Sequence, residues 1–385
     1  MKPKTPIYLD YAATTPVDAD VAKAMASCLT RDGNFANPAS RAHFFGWQAE
    51  AAVEKARGQL ARLLSADPRS LVWTSGATES NNLALKGLAF AHRDKGRHII
   101  TSAIEHKAVL DPCIYLEQNG FEVTYLAPQK NGVVTAEQVK NATRDDTIVV
   151  AVMHVNNELG VINPIADIAA FCRSRDIYLH VDAAQSVGKL PVDVKALGAH
   201  TLSLSAHKFY GPKGMGALYV QRDPQVAISA QIHGGGHQRG MRSGTLPTHQ
   251  IVGLGLAAEV AEQRLAKDMA HAKQLCSAFL AGLSELDGVT RNGDDSGLDA
   301  IVNLSFSGVE GETLLTALRD LAVSTGSACT SASVEPSYVL SALGVAPDLA
   351  HASLRFSFGR YTTLDDVQYA AQKIVATVNT LRARR

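Results

Sequence analysis

The chain has 385 residues, 46% of them hydrophobic and 19% charged, with 37 acidic side chains balanced by 37 basic ones. That length can bury a large core and form two domains, and the composition is that of an ordinary globular protein. The charge balance argues against a strongly basic nucleic-acid surface or a polyanionic tail. Residues 1–10 carry two lysines but no apolar targeting segment, and no stretch approaches the length of a membrane span, so a soluble cytoplasmic protein is expected. Cysteines stand at 28, 113, 172, 276 and 329, with no CxxC pair. An odd, scattered set fits free thiols in a reducing compartment better than a disulfide framework or a zinc site.

In chain order, Ala49, Ala52, Val53, Ala56, Leu60, Leu63 and Leu64 follow helical spacing and predict an amphipathic helix. Short β-type runs then alternate with helical stretches, at 71–74, 98–101, 123–126, 148–153, 177–182, 201–205 and 217–220. Such alternation predicts an α/β protein with a mostly parallel sheet wrapped by helices. A glycine-rich tract, 234–244, precedes a long helical region from about 249 to 286. Strand-like runs at 301–306, 321–324 and 353–358 then read as a smaller C-terminal αβ domain. The expected division is 16–260 for the large domain and 1–15 plus 261–385 for the small one.

Two of these runs end in a pair of residues with complementary chemistry. The run 177–182 ends in Asp182, and 201–205 leads into Ala206-His207-Lys208. Ligands of parallel sheets collect beyond the carboxyl ends of the strands, where both residues fall. The pairing suits pyridoxal phosphate: a lysine amine forms a Schiff base with its aldehyde, and a carboxylate keeps its pyridine nitrogen protonated. A surface lysine beside a helix-capping aspartate would look the same. The turn Thr74-Ser75-Gly76-Ala77-Thr78-Glu79, between a strand and a helix, has the form of a phosphate site, with Ala77 offering a backbone N–H and Thr78 a hydroxyl. It equally resembles an imperfect helix cap. Ser205 and His207 flank the lysine and are further phosphate donors, or ordinary strand-end polar groups.

His106 follows a strand end, where its ring could stack on a planar pyridine or move protons near neutral pH, although lone histidines are more often structural. Gln185, one turn past Asp182, could donate to the phenolic oxygen of the cofactor; Asn157 could hold that oxygen or a substrate carboxylate, or simply cap a turn. Cys329 sits among small polar residues, and the stretch 324–334 predicts an exposed, mobile loop with a candidate nucleophile. Cys28, Cys113, Cys172 and Cys276 lie in helix-like apolar surroundings and read as core thiols. Arg355, inside an apolar strand-like run, needs a partner there, either a substrate carboxylate or an internal acid. His233 and His237 could suggest metal, but no acid or cysteine nearby completes a ligand set.

With those residues in place, the chain resembles the group I cysteine desulfurases of the NifS/IscS type, within the class V aminotransferase-like, fold-type I pyridoxal phosphate enzymes. The resemblance runs almost end to end through 8–16, 74–80, 105–107, 154–160, 180–185, 205–214, 242–245 and 327–331. It implies conversion of L-cysteine to L-alanine, with the sulfur carried as a persulfide on Cys329 and supplied to iron–sulfur cluster assembly, other thio-cofactors or tRNA thiolation. It also implies that Lys208 binds the cofactor covalently, Asp182 pairs with its ring nitrogen, and His106 stacks and assists proton transfer. Ala77, Thr78, Ser205 and His207 would hold the phosphate, joined by Thr245 from the neighbouring subunit of a homodimer. Gln185 and Asn157 would touch the ring substituents, and Arg355 with Asn157 the substrate carboxylate. No metal, direct nucleic-acid contact or membrane contact is implied.

Two departures from the resemblance stand out. The sequence stops at 381–385, directly after its last expected helix, which puts docking of an iron–sulfur scaffold in doubt. Asn81 stands where relatives often have an acid, and little consequence is expected because the phosphate turn before it is intact. A selenocysteine lyase or another aminotransferase-like pyridoxal phosphate enzyme shares Lys208 and Asp182 and is the alternative. A non-catalytic sulfur-trafficking partner that keeps only the fold, and a nucleotide-binding protein using the glycine tract, are weaker readings.

Overall fold

Short, largely apolar strands set between amphipathic helices build a layered α/β architecture, seen in a computed structural model that describes residues 6–325 and 336–384. The chain enters with β1 (Ile7–Tyr8), and then β2 (Leu71–Thr74), β3 (His98–Ser102), β4 (Glu122–Leu126), β5 (Thr147–Met153), β6 (Tyr178–Asp182), β7 (Thr201–Ser205) and β8 (Gly216–Val220) form a seven-stranded sheet in the order β2-β8-β7-β6-β5-β3-β4. Only β8 runs against its neighbours, so β2 through β7 all point their carboxyl ends to one edge. Adjacent residues of a strand face opposite layers. Leu71, Trp73, Ile100, Val150, Val152 and Ala217 thus enter one apolar core, with the helix Phe44–Leu63. Val72, Ile99, Val149, Ala151 and Leu218 enter the other, under the helices Ala77–Ala91 and Lys107–Glu117. Strands buried on both faces need apolar residues at nearly every position, and β5 is buried throughout.

A second sheet is made of β9 (Val289–Asn292), β10 (Ile301–Phe306) and β12 (Ser353–Ser357), antiparallel in the order β12-β10-β9, while β1 pairs with β11 (Leu321–Ala322). Its core gathers Ile7, Leu9, Val302, Leu304, Phe306, Leu354 and Phe356 with the helix Leu364–Arg382. One helix of 34 residues, Thr248–Ala281, serves both cores: Ile251, Leu254 and Ala258 pack on the large sheet, and Leu275, Cys276 and Phe279 on the small one.

Strand boundaries fall mostly within one residue of the sequence expectation, and three elements differ by more. The helix expected from residue 49 begins at Phe44, because the His43 ring accepts from the Gly46 N–H and caps it. The long helix stops at Ala281 rather than 286, where Gly282 opens a series of turns. The run 321–324 is a strand only at Leu321–Ala322; Ser324 makes an isolated bridge to Arg355.

Candidate active site

The carboxyl ends of β2, β3, β5, β6 and β7 open on a cavity of about 820 Å³, closed on its far side by residues 10–14 and by Arg355. Ala77, Thr78, His106, Asn157, Asp182, Gln185, Ser205, His207, Lys208 and Arg355 all line it. Thr245 does not line the cavity of its own chain and is exposed. Cys329 lies outside the described residues. The other four cysteines are buried. Burial pushes the Cys113 and Cys172 thiols up to about 12 and that of Cys276 to about 11, so these thiols stay protonated near neutrality.

One end of the cavity is prepared for an anion. The helix Ala77–Ala91 begins at Gly76, whose φ of 152° is open to glycine, and no side chain caps its first turn. The N–H groups of that turn have no partner within the helix, and the dipole there is positive. Glu79 leaves them unoccupied, since it reaches back to accept from the Ser75 N–H at 2.7 Å and pairs with Arg242 at 2.8 Å. A Cβ added to Gly76 would stand 3.5 Å from Ser205 Oγ, so glycine keeps the space beside that hydroxyl open. His207 completes this end: burial, then the charges of Lys208, Lys213 and Lys189, lower its pKa to about 4, so it is neutral at pH 7. Its Nδ1 lies 3.1 Å from Thr14 Oγ1.

At the opposite wall the register sets Asp182 level with Met153 on one side and Ser203 on the other. Asp182 is 6% exposed, and each of its oxygens has a donor: Oδ1 accepts from the Ala184 N–H at 2.9 Å and Oδ2 from Asn81 Nδ2 at 2.7 Å. The Asp182 carboxylate only accepts, so the Asn81 atom that meets it must be Nδ2, which leaves Oδ1 to receive Ser203 Oγ at 2.5 Å and to face His180 Nε2 at 2.9 Å. Asn81 is therefore a direct partner of Asp182, a contact that its helical setting, away from any strand end, gave no reason to expect.

His106 caps the helix Lys107–Glu117, its Nδ1 accepting from the Ala108 N–H at 3.0 Å. Burial lowers its pKa, so the ring is neutral near pH 7 and, with Nδ1 an acceptor, carries its proton on Nε2. Capping and lining the cavity are thus combined in one residue. Lys208 ends a single 3₁₀ turn after β7 and donates from Nζ to the carbonyls of Ala12 and Ala13, at 2.6 and 2.9 Å. Gln185 donates to the same Ala12 carbonyl at 2.8 Å.

Arg355 answers its burial with an internal acid. Its Nη2 meets Asp10 Oδ1 at 2.8 Å and its Nη1 donates to the Asn157 carbonyl at 2.9 Å, while Nε is buried without a partner. Asn157 Oδ1 is likewise buried and unpartnered. Two further carboxyls escaped sequence reasoning. Glu158 lines the cavity and accepts from Ser337 Oγ at 2.6 Å; desolvation raises its pKa to about 7. Glu105, fully buried behind His106, is raised by the same cause to about 8. Both lie in the motifs 105–107 and 154–160, whose histidine and amides drew attention away from them.

A lysine, a buried carboxylate and an anion-ready helix end thus meet at the strand termini of a mostly parallel sheet, the arrangement of a fold-type I transferase. Residues 7–370 match the class V aminotransferase family, and the chain belongs to it. Within that family it falls among the cysteine desulfurases: it is 60% identical to cysteine desulfurase IscS of Aeromonas salmonicida strain A449 over 380 residues, 98% of this chain and 94% of that one. Among solved structures it is similar to a NifS-like protein, with a TM-score of 0.90 and 36% identity over 98% of this chain and all of the other. It is also similar to SspA in complex with cysteine, with a TM-score of 0.83 and 41% identity, covering 93% of this chain and 100% of that one.

Proposed function

We propose that the chain is a pyridoxal phosphate-dependent cysteine desulfurase that converts L-cysteine to L-alanine and carries the released sulfur on Cys329. The observation that carries this reading is the meeting of Lys208, Asp182, His106 and the uncapped helix end around one cavity. These residues fit the cofactor. The N–H groups of Ala77 and Thr78, the Ser205 hydroxyl and neutral His207 suit its phosphate; Asp182, a buried carboxyl held by two donors, suits its ring nitrogen; Lys208 suits its aldehyde. When bound, pyridoxal phosphate supplies an electron sink conjugated to the substrate amine.

The protein's own groups do the rest. Arg355 and Asn157, with a buried unpartnered Nε and Oδ1, orient the substrate carboxylate, which takes the place of Asp10 on the guanidinium. His106 holds a proton on Nε2 and moves it near the reacting carbon, while Gln185 Nε2, one hydrogen of which is held by Ala12, offers the other to the phenolic oxygen. The Cys329 thiolate forms a bond to the substrate sulfur, the bond from that sulfur to Cβ breaks, and the carbon takes up a proton to leave as alanine. Cys329 is singled out because the other four thiols are buried.

The persulfide then passes to an acceptor such as an iron–sulfur scaffold protein. Thr245, exposed on its own chain, supplies a phosphate contact to a second copy in a homodimer. Among the described residues no helix is long and apolar enough to cross a membrane, and the cytoplasm suits a thiol-based carrier. Mass spectrometry after incubation with L-cysteine tests the assignment: a sulfur adduct is expected on Cys329 and on none of the other cysteines. Cys329→Ala should abolish sulfide release while the yellow cofactor band remains. Wild-type sulfide production by that variant would overturn the mechanism.

A further inference from the structure

Lys189 has no role in the site described so far, yet it is tied to that site. It follows the turn after β6, is half-buried, and donates from Nζ to Gln185 Oε1 at 2.6 Å. Among the described residues no carboxylate forms an ion pair with it. The Ala12 carbonyl only accepts, so the atom of Gln185 that meets it at 2.8 Å must be Nε2, and Oε1 is left to face Lys189. That same carbonyl receives Lys208 Nζ at 2.6 Å. The two lysines are thus linked through one amide and one carbonyl.

We propose that Lys189 is a positioning residue for Lys208: it locks the Gln185 amide, which braces the Ala12 carbonyl that holds the Lys208 amine, and it sets a second amine to compete with Lys208 for positive charge. Burial, followed by the charges of Lys208 and Arg355, depresses the proton affinity of Lys189, as that competition requires. The other acidic and basic side chains lining the cavity are His106 and Lys107 at the start of the helix after β3, Glu79 from the helix after β2, Glu158 from the segment after β5, Asp182 from β6, His207 and Lys213 from the segment after β7, Asp10 from the N-terminal segment and Arg355 from β12. Each of the four acids already has a partner: Asp182 is held by Asn81 and the Ala184 N–H, Asp10 by Arg355, Glu79 by Arg242 and Glu158 by Ser337, so none forms an ion pair with Lys189.

The inference rests on the reading of Lys208 as the cofactor lysine, and the test separates the two. The visible absorbance of the holoenzyme is titrated against pH in wild type, Lys189→Met, Lys189→Gln and Lys189→Arg. Removing the competing amine should raise the midpoint of the band change by about one pH unit, a tenfold rise in proton affinity. Lys189→Arg, whose guanidinium keeps its charge where the lysine can give its up, should lower the midpoint below wild type, a response of opposite sign to the neutral variants that a merely structural role would not give. Unchanged midpoints in both neutral variants, or an equal shift in Lys189→Arg, would overturn the inference. Lys208→Ala, in turn, should lose the titrating band altogether, and its survival there would overturn the underlying reading instead.

Discussion

Arg355 shows how one side chain can be satisfied and still be available. Its guanidinium has two partners, the Asp10 carboxylate and the Asn157 carbonyl, but its Nε remains buried and unused. A buried charge without an acid would cost several kcal/mol, so Asp10 keeps the arginine in place before substrate arrives. The same contact makes Asp10 a competitor of any incoming carboxylate. Replacing Asp10 with Asn keeps a hydrogen-bond acceptor while removing the competing charge, and the KM for L-cysteine is expected to fall several-fold with kcat little changed. Steady-state kinetics decide the matter: a raised KM would show that Asp10 serves the site by orienting Arg355 rather than by competing.

At the scale of elements, the close approach of the helices Phe44–Leu63 and Thr248–Ala281 rests on glycine. A Cβ on Gly255 would stand 2.5 Å from the Ala56 Cα and 2.6 Å from Gln59 Oε1. Alanine has the better helix propensity by about 1 kcal/mol, but overpacking against a backbone atom costs about 1–3 kcal/mol and should win. Gly255→Ala is therefore expected to lower stability in urea, and an equal or higher midpoint would contradict this packing argument. Such contacts between elements are also where sequence reasoning stopped. Lys208, Asp182, His106 and the turn at Gly76 were legible because each is polar and stands where an apolar alternating strand ends. Asn81 was not, since it points from the buried face of a helix toward a strand end 101 positions away. Nor was Lys189, which reads as a surface lysine beyond a turn until its bond to Gln185 is seen.

The molecule as a whole stores protonation states that fight one another. His154 and His180 are buried neutral, with pKa values lowered from 6.5 to about 4 by desolvation. Their contribution to stability is present above pH 6.5 and is lost as pH falls toward 4, because only the unfolded chain takes up the protons. Glu105 and Glu158 are raised from 4.5 to about 8 and about 7, and act in the opposite sense. Their contribution is present below pH 4.5 and is lost as pH rises through 7 and 8, because the unfolded chain ionises first. Glu105→Gln should remove that second loss, so its stability relative to wild type is expected to improve by a few kcal/mol between pH 5 and pH 8. Urea unfolding at the two pH values measures this directly, and parallel curves would refute it.

The contact between Asp10 and Arg355 also joins residues 345 positions apart, and it does not stand alone: Ser357 N–H donates to the Leu9 carbonyl, and the Ala12 N–H to Ser357 Oγ. Contacts of such long range are slow to form and demand that the intervening chain be in place. Arg355 and Ser357 of β12 must be synthesised before the segment that carries Asp10 and Ala12 can find its partners. The floor of the cavity is made from strands between residues 71 and 205, but its far side is closed by residues 10–14 and Arg355, so the site cannot be completed until β12 has been synthesised.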